Sequence, residues 1–206
     1  MLSGRPTPAY VVGMARKLRL EYPGAIYHVW FRGHNRRRLF ADDEDRKRLL
    51  RSVGERVEEY EVRLYCYQLM SNHVHLVFET PRANLSVFMH ALLTSYSIYY
   101  NHRHRETGHL IDGRFGDKLV EGDEYLGKLC RYVHLNPLET RKARALELPE
   151  RRKLLRNYPW SSYRAYIGQV KKPEWLDADP LWKMLARSRK TQKAEYRRYV
   201  ELGLAQ

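Results

Sequence analysis

Two runs rich in β-forming residues, 62–70 (VRLYCYQLM) and 73–79 (HVHLVFE), are separated only by Ser71-Asn72. So short a link leaves antiparallel pairing as the local solution, and the segment predicts a hairpin. Side chains alternate faces along a strand, so His73 and His75 project from the same face of its second arm. That spacing lets two imidazoles reach one divalent cation side by side, and neutral imidazole is a common metal ligand. Two ligands alone make a weak site. A strand with two polar residues on its solvated face has the same pattern, so the choice rests on the remainder of the chain.

Residues 24–32 (GAIYHVWFR) read as a first strand, entered through the turn signal Tyr22-Pro23-Gly24. Arg36-Arg37-Arg38 follows in a loop. Asp42-Asp43-Glu44-Asp45 suits the positive end of a helix running to about residue 60, with Leu49, Leu50 and Val53 apolar. After the hairpin, Asn84 or Ser86 caps a long helix to about residue 103. Its buried face carries Leu85, Phe88, Met89, Leu92, Leu93, Tyr96 and Tyr99. A short strand at 118–121 precedes a helix from 124 to about 135, capped by Asp123 and stopped by Pro137. The order strand, helix, strand, strand, helix, strand, helix predicts an α+β fold of ferredoxin-like type. Its antiparallel sheet carries helices on one side, and a basic helical extension follows at the C-terminus.

The 206 residues suit one domain plus extensions. Residues 1–13 carry two prolines and no periodicity, and read as an extension or a disordered segment. Organised sequence spans 14–140, and 141–206 form a basic extension that packs on the core and on nucleic acid. Lys and Arg total 38 against 24 Asp and Glu, a formal charge of +14. So large an excess favours a polyanionic partner, because each neutralised phosphate releases condensed counterions. Residues 141–156 hold seven Lys or Arg against two Glu, and residues 183–198 seven against one. Between them, Tyr158-Pro159-Trp160-Ser161-Ser162-Tyr163 reads as a packing clip over the core. No apolar run approaches the roughly 20 residues a spanning helix needs, and no signal-peptide core appears, so no membrane partner is expected. Two cysteines, Cys66 and Cys130, give neither a disulfide framework nor a structural zinc site. A reducing, cytoplasmic, nucleoid-associated setting is the default expectation.

On the helix after Asp123, Tyr125, Lys128, Tyr132 and Asn136 share one stripe, at i, i+3, i+7 and i+11. A tyrosine packing its ring on the sheet, with an Asn cap before Pro137, would give the same stripe. The ordered motifs around it decide more. They are 21–29 (EYPGAIYHV), Arg32-Gly33, 71–75 (SNHVH), Gly108-His109-Leu110, Gly113-Arg114-Phe115, 131–137 (RYVHLNP) and 160–163 (WSSY). As an ordered set they resemble the Y1-type HUH transposases, particularly the IS200-like branch associated with repetitive extragenic palindromes, from about residue 14 to 168.

The resemblance implies that 14–140 is a transposase catalytic domain in which His73, His75 and Asn136 hold Mg²⁺ or Mn²⁺. Tyr132 would be the nucleophile, leaving a 5′-phosphotyrosine and a free 3′-hydroxyl on single-stranded DNA beside a hairpin. A bound cation acts as a Lewis acid on the scissile phosphate. A phenol ionising near 10 is a poor nucleophile at neutral pH, so nearby positive charge would favour its phenolate. The best candidates for phosphate contacts are Arg36, Arg37, Arg38, Lys128 and Arg114; such contacts carry no sequence information. The run Leu138-Glu139-Thr140-Arg141-Lys142 departs from the small basic and glycine stretch of relatives, and Lys128 is unexpected at its position. Two other readings stay open. One is a catalytically idle hairpin-binding protein of the same fold; the other is a basic RNA-binding or hydrolytic protein whose metal activates water. Monomer and homodimer are both compatible with the chain. Affinity for nucleic acid should fall about 10³- to 10⁵-fold between 50 and 200 mM salt if six to ten phosphates are neutralised. A flat response in a filter-binding titration would remove the polyanion argument.

Overall fold

Along the first strand, β1 (Ala25–Arg32), the odd-numbered Tyr27, Val29 and Phe31 are buried, whereas Arg32 is exposed. In the computed structural model, which describes residues 18–205, this strand lies inside a four-stranded antiparallel sheet of order β2-β3-β1-β4. The other strands are β2 (Arg63–Leu69), β3 (His73–Thr80) and β4 (Gly116–Val120). β2 and β3 form the expected hairpin, in which Met70 donates its amide to the His73 carbonyl. β3 then pairs with β1 along its whole length, from Ala25 opposite Thr80 to Arg32 opposite His73. This strand order and the intervening helices give the ferredoxin-like α+β arrangement. The expectations for residues 1–13, and for the first residues of the organised span that begins at 14, lie outside the described residues.

α1 (Asp43–Glu59) and α2 (Leu85–His104) connect β1 to β2 and β3 to β4. Both cover one face of the sheet. Phe78 packs edge-on against Phe88 of α2 at 4.9 Å, and Leu49, Val53, Leu92 and Tyr96 are buried there. Asp42 caps α1 by accepting the Glu44 and Asp45 amides. The same carboxylate and the fully buried Asp45 hold Arg103 and His104 at the end of α2. The cationic end of α2, which by composition suits a nucleic-acid surface, is thus partly spent on an ion cluster between the two helices. Asn84 sits at the α2 N-cap, but its side chain donates to the Tyr60 carbonyl instead of capping.

α3 (Asp123–Leu135) crosses the opposite face, a refinement of the one-sided arrangement expected for the core helices. Cys130 meets Cys66 of β2 there, both fully buried and reduced. Gly122, at φ 83°, occupies the cap position expected for Asp123, and the left-handed backbone suits its lack of a Cβ. Pro137 ends α3 in a 3₁₀ turn, Asn136–Glu139.

The C-terminal part carries α4 (Arg141–Arg144), α5 (Leu148–Asn157), α6 (Tyr163–Tyr166), α7 (Asp179–Leu185) and α8 (Arg189–Leu202). Ser161 bridges to Gln68, Leu69 donates its amide to Trp160, and Tyr158 donates its hydroxyl to the Leu69 carbonyl. Trp175 lies against Gly54 of α1, where an added Cβ would stand 2.7 Å from the indole. His134 joins three of these parts. One ring nitrogen meets Ser162 Oγ at 2.8 Å and the other meets the Tyr196 hydroxyl at 2.9 Å, while Ser162 Oγ also accepts the Tyr67 amide.

Burial pushes the His134 imidazole down to about 3, so it is neutral in the folded protein at neutral pH. Since the unfolded chain binds this proton near pH 6.5 and the folded chain does not, acid favours unfolding. Stability should therefore fall as pH drops from about 6.5 toward 3, by roughly 1.4 kcal/mol per pH unit from this group alone. His134→Ala should cost about 2–5 kcal/mol at pH 7, through the cavity and the lost hydrogen bonds. It should also flatten the pH dependence by about one proton between pH 4 and 6.5, both read from urea unfolding curves.

Candidate active site

Three strand elements supply one wall of a cavity of about 760 Å³ on the α3 side of the sheet. Alternation along β1 turns His28, Trp30 and Arg32 to this side, where β3 presents His73 and His75. The register sets Trp30 opposite His75, Arg32 opposite His73 and Lys118 of β4 opposite His28. His28 and His75 are 9% and 8% exposed, and their rings stack at 5.1 Å with an interplanar angle of 22°. His28 Nε2 lies 2.9 Å from His75 Nδ1. His73 Nδ1 lies 2.8 Å from the side-chain oxygen of Asn72, leaving Nε2 as its other nitrogen.

Desolvation dominates the ionisation of these rings. It pushes His28 down to about 4, helped by the Lys118 charge, and His75 down to about 3, helped by His28, His73 and Arg32. His73 is also lowered, by burial and then by Arg32, against an opposing contribution from the Asn136 side chain beside it. All three are uncharged at neutral pH, the state in which a ring nitrogen can bind a metal.

α3 forms the other wall. Tyr132, 52% exposed, presents its ring 6.3 Å from those of both His28 and His75. Asn136, one turn later, is buried, donates from Nδ2 toward the Tyr132 carbonyl at 3.4 Å and lies in side-chain hydrogen-bonding contact with His73. Among the described residues, no three His, Cys, Asp or Glu side chains are arranged as a metal-holding group. The donors here are instead two neutral imidazoles and a carboxamide, a nitrogen-and-oxygen set compatible with Mn²⁺ or Mg²⁺ retaining some water. The rim is cationic, with Arg32, Arg36, Lys118 and Lys128 all lining the cavity. Lys118 Nζ donates to the Tyr125 hydroxyl at 3.0 Å.

A sequence profile of the family described as "Transposase IS200 like" matches residues 21–136, more than half of the chain and every element that builds this cavity. The chain belongs to the IS200-like transposase family. Among solved structures, the fold is similar to that of the REP-associated tyrosine transposase bound to a REP hairpin. That match has a TM-score of 0.60 at 12% identity, and covers 81% of this chain and 93% of the other. A candidate transposase of Deinococcus radiodurans R1 aligns at 16% identity over 58% of this chain and 95% of its own, with a TM-score of 0.41. No curated protein matches the sequence. The family makes this a transposase-type, DNA-processing protein, and the REP-associated likeness gives it that enzyme's fold.

Within this transposase fold, His73, His75, Tyr132, Asn136, Lys128 and Arg36 of the sequence reading converge on one cavity. The other candidate phosphate contacts lie apart from it. Arg37 is ion-paired with Glu106, Arg38 borders a groove beside Asp42 and Glu44, and Arg114 lines a separate groove under α2. His28, Trp30 and Lys118 are cavity residues to which the sequence reading gave no place in the site, and Tyr125, on the stripe with Lys128 and Tyr132, lines it as well. For the first two the available signal was the i, i+2 spacing with Arg32, which becomes informative once β1 is known to flank β3. No membrane-spanning helix is present among the described residues.

Gly116 deserves its place beside Trp30: a Cβ there would stand 2.3 Å from the indole Cε2. Gly116→Ala should displace that ring and cost about 1–3 kcal/mol in thermal or urea unfolding. An unchanged midpoint would mean that the indole is free to move aside.

Proposed function

We propose that this IS200-like transposase is a metal-dependent single-strand DNA transesterase acting beside DNA hairpins. The observation that carries the reading is the convergence of a half-exposed tyrosine, two neutral imidazoles and a carboxamide in a single cation-rimmed cavity. His73, His75 and Asn136 would hold Mg²⁺ or Mn²⁺. When bound, the cation supplies Lewis acidity and orients the scissile phosphate.

The chain's own residues account for the remaining chemistry. Arg32, Arg36, Lys118 and Lys128 supply the positive field that draws a phosphodiester into the cavity. Tyr132 loses its hydroxyl proton and its oxygen attacks phosphorus. The bond from phosphorus to the 3′-oxygen breaks, and that oxygen takes up a proton to become a free 3′-hydroxyl. The 5′-phosphate stays on Tyr132. One ester bond replaces another, so the linkage energy is retained and strand rejoining can proceed by the reverse attack. The exposure of Tyr132 supports this role, because a strand must reach its hydroxyl without unfolding α3.

Hairpin recognition is inferred from the REP-associated relative of similar fold, which is bound to a REP hairpin. The formal charge of +14 supports a nucleic-acid partner independently. The chain would act as a monomer or homodimer in the cytoplasm, on the nucleoid.

The test is a denaturing gel with labelled hairpin-bearing single-stranded DNA from the protein's own genomic flanks, with and without Mn²⁺, beside Tyr132→Phe. A metal-dependent shift of the label to protein size, lost in the variant, is expected. Cleavage without an adduct in both proteins would replace this reading by a metal-activated water. Binding with no cut under any metal would leave the hairpin-binding module.

A further inference from the structure

Each of the two β3 histidines is held through the same ring atom. His73 Nδ1 contacts the side-chain oxygen of Asn72 at 2.8 Å, and an amide oxygen can only accept. His73 therefore carries its proton on Nδ1 and keeps the Nε2 lone pair. His75 Nδ1 has no such carbonyl. Its partner is another imidazole, His28 Nε2, at 2.9 Å. A neutral imidazole has one donor and one acceptor nitrogen, so a single proton lies between the two rings and two arrangements exist. If His28 donates, His75 must be protonated at Nε2, which removes its lone pair from the cavity. If His28 accepts, His75 matches His73, with both Nε2 lone pairs open to the cavity.

We infer that His28 is the positioning residue for His75: its Nε2 accepts the His75 Nδ1 proton and thereby fixes His75 as an Nε2 ligand. The inference rests on the proposed metal-dependent reading and names the group that prepares one half of its ligand pair. Metal-binding histidines generally give their second ring N–H to an acceptor, and losing that acceptor weakens affinity about 10- to 100-fold.

The surroundings of His28 are built for such a task. It stands on the strand next to His75, not on a loop, and both rings are nearly buried. The stack of 5.1 Å and 22° fixes the His28 ring plane relative to His75. The Trp30 indole lies 5.2 Å from the His28 ring. Trp30 in turn rests on the bare backbone of Gly116, a seat that any side chain would occupy. No metal ligand role is left for His28 in this arrangement, because its Nε2 lone pair accepts the His75 proton and its Nδ1 carries its own proton.

The test uses the full-length protein labelled with ¹⁵N-histidine. Long-range ¹H–¹⁵N correlations read the tautomer directly, and isothermal titration with Mn²⁺ reads affinity. The expected result is His75 protonated at Nδ1 in the wild type without metal. His28→Ala should weaken Mn²⁺ binding about 10- to 100-fold. His28→Gln, whose side-chain oxygen can accept the same proton, should restore most of that loss. Circular dichroism and urea midpoints establish that each variant is folded, and His28→Gln keeps the comparison available where His28→Ala is not.

A wild-type His75 protonated at Nε2 overturns the inference, even in a protein that cuts DNA. So does a folded His28→Ala that binds Mn²⁺ as tightly as the wild type while His73→Ala does not. The proposed function fails differently: Mn²⁺ affinity would be unaffected by His73→Ala, while the tautomer measurement still decides the role of His28.

Discussion

The pairing of β1 with β3 is the constraint on which the rest depends. Eight residues pair without interruption, and the register sets Trp30 beside His75 and Arg32 beside His73. Because side chains alternate with a period of two, a slip of one residue would exchange the two faces of β1. Tyr27, Val29 and Phe31 would leave the core under α1 and α2, and Arg32 would enter it without a partner. Burying an unpaired cation and exposing three large apolar side chains together cost far more than any single contact in the cavity. The same hydrophobic demand that closes the core therefore brings the first-strand residues to the histidines.

The second constraint is how α3 is held. Its two sides have opposite tasks: Val133 and His134 face inward, while Tyr132 is half exposed to the cavity. His134, tied to Ser162 and through Tyr196 to α8, makes the C-terminal region part of the support for the helix that carries Tyr132 and Asn136. The aromatic stack of Tyr166 on Tyr196, at 4.3 Å, closes this layer behind the helix. The C-terminal segment is basic along its surface, but its inner side is a packing element.

Electrostatics in the cavity separate two needs. The imidazoles are buried and neutral, while the arginines and lysines stand at the rim. A cationic rim also disfavours protonation of the nearby rings, as the contributions of Lys118 and Arg32 indicate. A phosphodiester entering this cavity would meet positive charge first and uncharged imidazole and amide atoms beneath it.

Much of this was readable in the chain. The hairpin followed from the two-residue link at Ser71-Asn72, the helices from their apolar spacing and acidic start, and the order of elements from the alternation of the two patterns. The stripe of Tyr132 and Asn136, and the shared face of His73 and His75, are properties of single elements and need only local geometry. What sequence could not supply was the relation between elements: that β1 lies next to β3, that α3 crosses the face opposite α1 and α2, and that Arg37, Arg38 and Arg114 lie apart from Arg36. His28 illustrates the difference. Its alternation with Trp30 and Arg32 is written in residues 28–32, but an imidazole becomes the partner of another only when two strands 47 positions apart are hydrogen-bonded in register. Secondary structure is decided by interactions within a few residues and is legible from pattern. The shared cavity is decided by long-range burial, because only the folded core determines which faces meet.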